Sequence, residues 1–371
     1  MPRELRVLPR NVPVERPPAE DRFSGSVPVE VADVPEGQSV AAPTTILLIG
    51  HGSRDPEGAD QHREVAALLD ARFGPARPVV PCFLELADPS ILDAIDACAR
   101  AGTWEIVALP FMLFAANHVK SDVPAAIIAA RARHPDVAIR YGAPLDAQPE
   151  MLAALDGRIA AVERLDPSFG CAEAAVGRAE TAILLVERGS SDPDANARVY
   201  QLARLLWEGR GFGWVEPCFI GITRPTLDEG MARCVALGAR RVIVAPYFLF
   251  TGVLVRRIAR MVGDLRAVYP RVRIEVAEHL GAHPSILDLA AWRIEEASAG
   301  EVRMSCDRCK WRVPLVGFEQ RVGQPQTSDR AHGLREGGTM GHDHRHDHAL
   351  GGASGHEHLH THDQSRVHNR P

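Results

Sequence analysis

His51, Glu85 and His118 are the residues whose types and spacing could carry chemistry in this sequence. Each stands just beyond an apolar run that reads as a β-strand, over residues 46–49, 78–84 and 105–114 respectively. Two neutral imidazoles and one carboxylate suit a borderline divalent cation such as Co²⁺, Ni²⁺, Fe²⁺ or Zn²⁺. An imidazole also exchanges protons near neutral pH, so the same groups could serve in acid–base work. A nearby carboxylate could relay protons or orient a ring.

For three such groups to meet, their strands must lie side by side with their carboxyl ends at one edge. The chain around His51 is suited to that. The unbroken run Ile46-Leu47-Leu48-Ile49 predicts a strand buried on both faces, as in a parallel sheet. Gly50 and Gly52 free the backbone to turn, and Asp55-Pro56 predicts an N-cap followed by a first-turn proline. Helices are expected over 56–73, 90–100, 122–134 and 150–165, with a fourth strand over 136–141. Strict β/α alternation predicts a parallel sheet. In a flavodoxin-like order, strand one lies between strands two and three, so their ends converge on one crevice.

The pattern then repeats. Ile183-Leu184-Leu185-Val186-Glu187-Arg188-Gly189-Ser190-Ser191-Asp192-Pro193 echoes the opening stretch 137 residues on. Pro217-Cys218-Phe219 and Pro246-Tyr247-Phe248-Leu249-Phe250 echo Pro81-Cys82-Phe83 and Pro110-Phe111-Met112-Leu113-Phe114 at an offset of 136. Three echoes in register predict an internal duplication. The fold class is therefore α/β, with two duplicated flavodoxin-like domains over 44–165 and 181–300, joined by a linker at 166–180. At the positions matching the triad, the second domain has Arg188, Gly221 and Leu254. One site is expected, borne by the first domain and facing the cleft.

Composition narrows the function classes. With 371 residues, 46% hydrophobic and 24% charged, the chain suits two soluble domains plus tails. A net charge of −6 gives no reason to expect nucleic acid or an anionic membrane as partner, and no apolar run approaches a membrane span. No signal-peptide core is apparent, and seven scattered cysteines suit a reducing compartment, so a cytoplasmic protein is expected. Lys120 and Lys310 are the only lysines, so an anion would chiefly meet arginine.

The ends differ from the middle. Residues 1–43, with eight prolines, are expected to form a disordered leader. Residues 301–330 carry Cys306 and Cys309 as a single Cys-x-x-Cys, open to a zinc site, a redox dithiol or two idle thiols. The tail 331–371 includes His342, His344, His346, His348, His356, His358, His360 and His362, alternating with Asp and Glu. It reads as a disordered metal buffer that raises the local cation concentration.

The segments Gly50-His51-Gly52-Ser53-Arg54, Phe83-Leu84-Glu85 and Asn117-His118-Val119-Lys120-Ser121-Asp122-Val123-Pro124 resemble those of the class II tetrapyrrole chelatases, of the CbiX and SirB types. The likeness covers roughly 44–300, and the Cys-x-x-Cys with a His-rich tail resembles the long CbiX form. The resemblance implies two chelatase-like domains and insertion of Co²⁺ into sirohydrochlorin on the anaerobic route to cobalamin. It implies His51 and His118 as metal ligands and proton acceptors, with Glu85 assisting. It also implies an iron–sulfur cluster at Cys306 and Cys309, for which a homodimer or another partner could supply two more ligands. Arg54, Lys120, Arg188 and Arg256 are candidates to meet the eight carboxylates of the macrocycle.

Two other readings stay open. The same chemistry with Fe²⁺ for sirohaem, or with Ni²⁺, uses the same ligand set. A metal-storage or delivery protein would make the tail its working part and would have no need of the His51–Glu85–His118 site.

Overall fold

Alternate residues of one strand enter different cores, and that sets the layering. The computed structural model describes residues 44–165, 176–302, 309–312 and 314–324; the leader, most of the linker, Cys306 and the His-rich tail lie outside the described residues. Strand β1 (Thr44–Gly50) is followed by α1 (Pro56–Phe73), β2 (Val79–Phe83), α2 (Ile91–Arg100), β3 (Glu105–Pro110), α3 (Val123–Arg133), β4 (Ala138–Tyr141) and α4 (Pro149–Arg164). The second half repeats this as β5 (Thr181–Glu187), α5 (Pro193–Trp207), β6 (Trp214–Phe219), α6 (Leu227–Ala236), β7 (Arg241–Pro246), α7 (Val253–Val268), β8 (Arg273–Val276) and α8 (Pro284–Ser298). The sheets have orders β2-β1-β3-β4 and β6-β5-β7-β8, parallel throughout. Strand one of each half thus lies between strands two and three, as the sequence predicts.

Ile46 and Leu48 enter one apolar cluster, Leu47 and Ile49 another, and all four are fully buried. In β5, Ile183 and Leu185 join the same cluster as Ile46, while Leu184 and Val186 face a third. The strand period of two therefore divides each sheet between an outer core, under α2–α3 or α6–α7, and a central core shared by α1, α4, α5 and α8. Each such side chain contributes about 1.5–3 kcal/mol of burial, so the shared core joins the two halves firmly.

The helix starts follow their caps. Asp55 accepts from Glu57 N, Ser90 from Asp93 N and Asp192 from Asp194 N, and Thr226 forms a capping box with Glu229. One expected element is shorter: β3 ends at Pro110 rather than at residue 114. Phe111 N still donates to Ile49 O, but Met112 N turns back to Pro110 O. Phe111 and Phe114 are apolar because they fill the central core, where Phe114 stacks on Tyr247 at 5.5 Å, not because they extend the strand.

A compensating pair distinguishes the halves. Gly50 is followed by His62, and a Cβ at Gly50 would stand 2.9 Å from the His62 ring. At the matching places, 137 residues on, stand Glu187 and Val199, the smaller β-branched side chain beside the larger acid. His62 is buried among Phe83, Phe111 and Phe250, with Nε2–H donating to Leu48 O at 3.2 Å. Burial is the main cause that lowers its pKa to about 4, with the charge of Arg63 adding to it against the backbone contacts.

That lowering predicts a pH effect. The unfolded ring protonates near 6.5 while the folded one stays neutral to about 4, so stability held above pH 6.5 is lost as pH falls toward 4. For His62 the loss is about 3 kcal/mol, and metal-free His51, also lowered to about 4, adds a comparable share. In thermal unfolding with chelator present, His62→Phe should remove about half of the slope between these pH values. An unchanged slope would mean that His62 is not one of its sources.

Candidate metal centre

The β1–β2 ladder continues past both strand ends and fixes two of the three site residues. Leu84 N donates to Gly50 O at 2.9 Å and Glu85 N to His51 O at 3.1 Å. Gly52 has φ of 90°, and a Cβ there would lie 1.7 Å from Glu85 O, so the loops pass each other only because Gly52 has no side chain. The third residue begins a π-helical turn, His118–Asp122, in which Val123 N reaches back to His118 O. Such turns interrupt helices at functional sites. Here the turn sets the Asp122 carboxylate 2.6 Å from His118 Nδ1.

The ligand atoms of His51, Glu85 and His118 all lie within 4.8 Å of one another. The triad expected from sequence is thus brought together at one sheet edge. His51 Nε2 is 3.5 Å from a Glu85 oxygen, and the two imidazoles meet edge to face with ring centroids 4.8 Å apart. Ligands about 2.1 Å from a tetrahedral cation stand roughly 3.4 Å apart, so a small inward rotation closes the set.

Both rings present the same nitrogen. His51 Nδ1 is 3.2 Å from Gly52 O, so Nδ1–H donates there and Nε2 is left bare; Nε2 is buried with no hydrogen-bond partner. His118 Nδ1–H donates to Asp122, which is 3% exposed, leaving its Nε2 as the ligand atom. Burial is the largest cause that lowers the His51 pKa to about 4; the charges of His118 and Arg188 lower it further, while Glu85 and the Gly52 carbonyl oppose them. His51 therefore stays neutral, as a ligand must be, well into the acid range. Asp122, the partner of His118, was missed in the sequence reading; its signal was the four-residue spacing from His118 on one turn.

The expected cationic candidates fall into two groups. Lys120 is 5% exposed and its Nζ donates to Asp192 at 3.0 Å and Asp194 at 3.1 Å, across the two halves. Burial alone would lower its pKa, but the two carboxylates raise it overall. Arg256 pairs with Asp55 and lies 3.9 Å from Glu57. Both cations, read from sequence as candidates for substrate carboxylates, are engaged by the protein's own. Arg188 and Arg54 are exposed, and Arg188 stands near enough to lower the His51 pKa.

These two ion pairs are copies of each other. Asp55 and Glu57 correspond to Asp192 and Asp194 at the offset of 137, and Lys120 to Arg256 at 136. Each half thus offers a cation, two residues beyond the triad position His118 or its counterpart Leu254, to the capping end of the other half's first helix. The halves meet as an isologous pair would, with the carboxyl ends of their sheets facing. Thr251 N donating to Gln61 Oε1 at 2.8 Å adds to the same junction.

At the positions matching the ligands the second half has none. Gly221 packs under Arg188 O, 2.4 Å from where its Cβ would be, and Leu254 packs on the outer core. Its loop is tied down by side chains: Glu187 accepts from Gly189 N at 2.6 Å, and Asn196 Oδ1 accepts from Ser190 N at 2.9 Å. Beyond α8, Cys309 is buried, and the adjacent Lys310 feels the charges of Asp192 and Lys120. Cys82, Cys98, Cys218 and Cys234 lie in the outer cores, where burial raises the pKa of each thiol.

The sequence model of the CbiX family matches residues 45–162 and again 182–297. The chain belongs to the CbiX family. The sirohydrochlorin cobaltochelatase of Priestia megaterium is 39% identical to this CbiX chain over 273 residues, covering 73% of it and 86% of that protein. The sirohydrochlorin ferrochelatase of Bacillus subtilis (strain 168) is 32% identical over 256 residues, covering 68% and 92%. Among solved structures, SirB from Bacillus subtilis with Fe³⁺ superposes with a TM-score of 0.59 at 28% identity, covering 70% of this chain and 96% of that one. SirB from Bacillus subtilis subspecies spizizenii in complex with cobalt gives 0.57, with the same identity and coverage. Among the described residues, no helix is long and apolar enough to cross a membrane.

Proposed function

We propose that this chain is a sirohydrochlorin chelatase that inserts Co²⁺ and releases two protons, on the anaerobic route to cobalamin. The observation that carries the reading is the convergence of three ligand atoms within 4.8 Å at one sheet edge, each imidazole bonded through Nδ1 to another group. Three protein ligands leave a cation with open positions, so it can pass to four pyrrole nitrogens without first being trapped. His51 and His118 hold the entering cation through Nε2, and Glu85 completes the set.

The protons have a natural order of acceptors. His51, held neutral to about pH 4, acts as ligand rather than base. His118 has the counter-ion for a protonated ring already in contact, at 2.6 Å on Asp122, so it takes one pyrrole proton as the metal leaves it, and the second passes by way of the Glu85 carboxylate to water. Exposed Arg188 and Arg54 are proposed to meet the macrocycle's carboxylates. Cys306 and Cys309 would be half of a four-thiolate iron–sulfur site, the second pair coming from a homodimer mate; iron and sulfide content of anaerobically purified protein tests this.

Anaerobic incubation with sirohydrochlorin and Co²⁺, Fe²⁺ or Ni²⁺ in turn, followed by absorption, should show insertion fastest with Co²⁺. Iron is the second reading, favoured by the ferrochelatase among the relatives, and faster insertion of Fe²⁺ would establish it. Deletion of residues 331–371 should leave kcat within about twofold at saturating metal and raise the metal concentration needed at limiting supply. A storage protein would instead lose most of its bound metal and show no insertion at all.

A further inference from the structure

Leu86, the residue after Glu85, has a left-handed backbone, φ 64°, and is 45% exposed. Among the described residues only Asp146 shares this conformation without being glycine, and aspartate tolerates it where leucine does not. A bulky apolar residue held so, and left in water beside a ligand, is strain kept at a functional position. Its conformation follows from the close crossing of residues 85–87 over Gly52.

The second half offers matching groups. Ile222, 136 residues on from Leu86, is 56% exposed, and Val253, at the place matching Asn117, is 61% exposed. Single exposed aliphatics are common, but Leu86 and Ile222 stand on the loops that follow β2 and β6, and Val253 opens α7 a few residues past β7. Glu85 N on His51 O sets the β2 loop beside the triad, and Gly221 against Arg188 O sets the β6 loop beside a cation whose charge reaches His51. The Arg256–Asp55 pair draws the first turn of α7 to the cap of α1. Where the first half presents metal ligands, the second presents aliphatic groups and the exposed cation of Arg188. Such a surface matches a flat, apolar ring with carboxylates around its rim.

We infer that Leu86, Ile222 and Val253 form a two-sided apolar grip on the faces of the tetrapyrrole, holding the ring over the metal centre. This rests on the chelatase reading above and adds the residues that recognise the ring itself. The grip acts on macrocycle binding and leaves the cation's ligands untouched.

Leu86→Gly suits the test, because glycine accepts the left-handed backbone and the fold should keep its Tm. Ile222→Ser withdraws the opposing group. Titration of each variant with metal-free sirohydrochlorin should show a dissociation constant raised about tenfold, the scale of removing one aliphatic contact. KM should rise in step while kcat changes little, and Co²⁺ affinity measured calorimetrically without macrocycle should stay within about twofold of wild type. Normal macrocycle binding by both variants, in a protein whose wild type inserts Co²⁺, overturns the grip and leaves the chelatase reading standing. An effect confined to Leu86 overturns its two-sided form. Wild-type protein that neither binds nor metallates sirohydrochlorin overturns both.

Discussion

His118→Ala is expected to lower the rate of Co²⁺ insertion into sirohydrochlorin by at least about a thousandfold, the largest effect on activity foreseen for a single substitution here. Two losses combine in it. The cation loses one of three protein ligands, and the displaced proton loses its acceptor beside Asp122. His51→Ala removes a ligand of equal standing but not that acceptor, so its deficit should be partly recovered by raising metal concentration, while that of His118→Ala should not. Asp122→Asn separates the roles further. The amide keeps the shape but no longer favours Nδ1–H on His118, and losses of about 10–100-fold are usual when such a supporting carboxylate is removed from a ligating histidine. The measurement is anaerobic steady-state insertion with Co²⁺ varied at saturating sirohydrochlorin. If Asp122→Asn is as active as wild type at every metal concentration, the proton route through His118 is wrong, although the ligand assignment survives.

Much of this centre was legible because strand ends are legible. An apolar run closed by glycine, followed by a capping aspartate and a proline, fixes where β1 stops, and duplication shows which positions the architecture leaves free. Glu85 and His118 followed from the same rule. What escaped depends on contacts the local pattern does not carry. The π turn at His118–Asp122 lies where the sequence reading has no element, ahead of the helix expected over 122–134, and it sets Asp122 beside His118. The overlong estimate of β3 came from reading Phe111 and Phe114 as strand, when they are apolar for the core they share with the second half. Lys120 was read as a candidate for the substrate's carboxylates because those carboxylates call for cations. Its partners, Asp192 and Asp194, lie 72 and 74 residues away in another sheet's helix cap. Their counterparts Asp55 and Glu57 were visible in register with them, but nothing in one half alone says that its cap will face the other half's cation.

Lys120 therefore carries the largest stability prediction, and the duplication supplies its control. Asp192 is fully buried, and Lys120 holds both it and Asp194, so Lys120→Met leaves two carboxylates without the cation that hydrogen-bonds both. Breaking a buried pair by removing one partner costs about 3–5 kcal/mol, most of it the desolvation of the charge left behind. The corresponding pair joins Asp55 to Arg256, whose side chain is 52% exposed, so water already screens that charge. Arg256→Met should cost no more than about 1 kcal/mol. Thermal or denaturant unfolding of the two variants compares one ion pair in two dielectric settings within a single fold. A second prediction shares the same geometry: the Lys120 pKa is raised, so its contribution is complete below the ordinary lysine value of about 10.4 and fades only as pH rises through the higher folded value. Wild type should thus lose stability relative to Lys120→Met in alkali alone. Adding Asp192→Asn to Lys120→Met should restore part of the loss, because the carboxylate that had no partner is gone. Equal costs for the Lys120 and Arg256 variants would mean that burial does not set the strength of these pairs, and that the junction is held by the shared apolar core by itself.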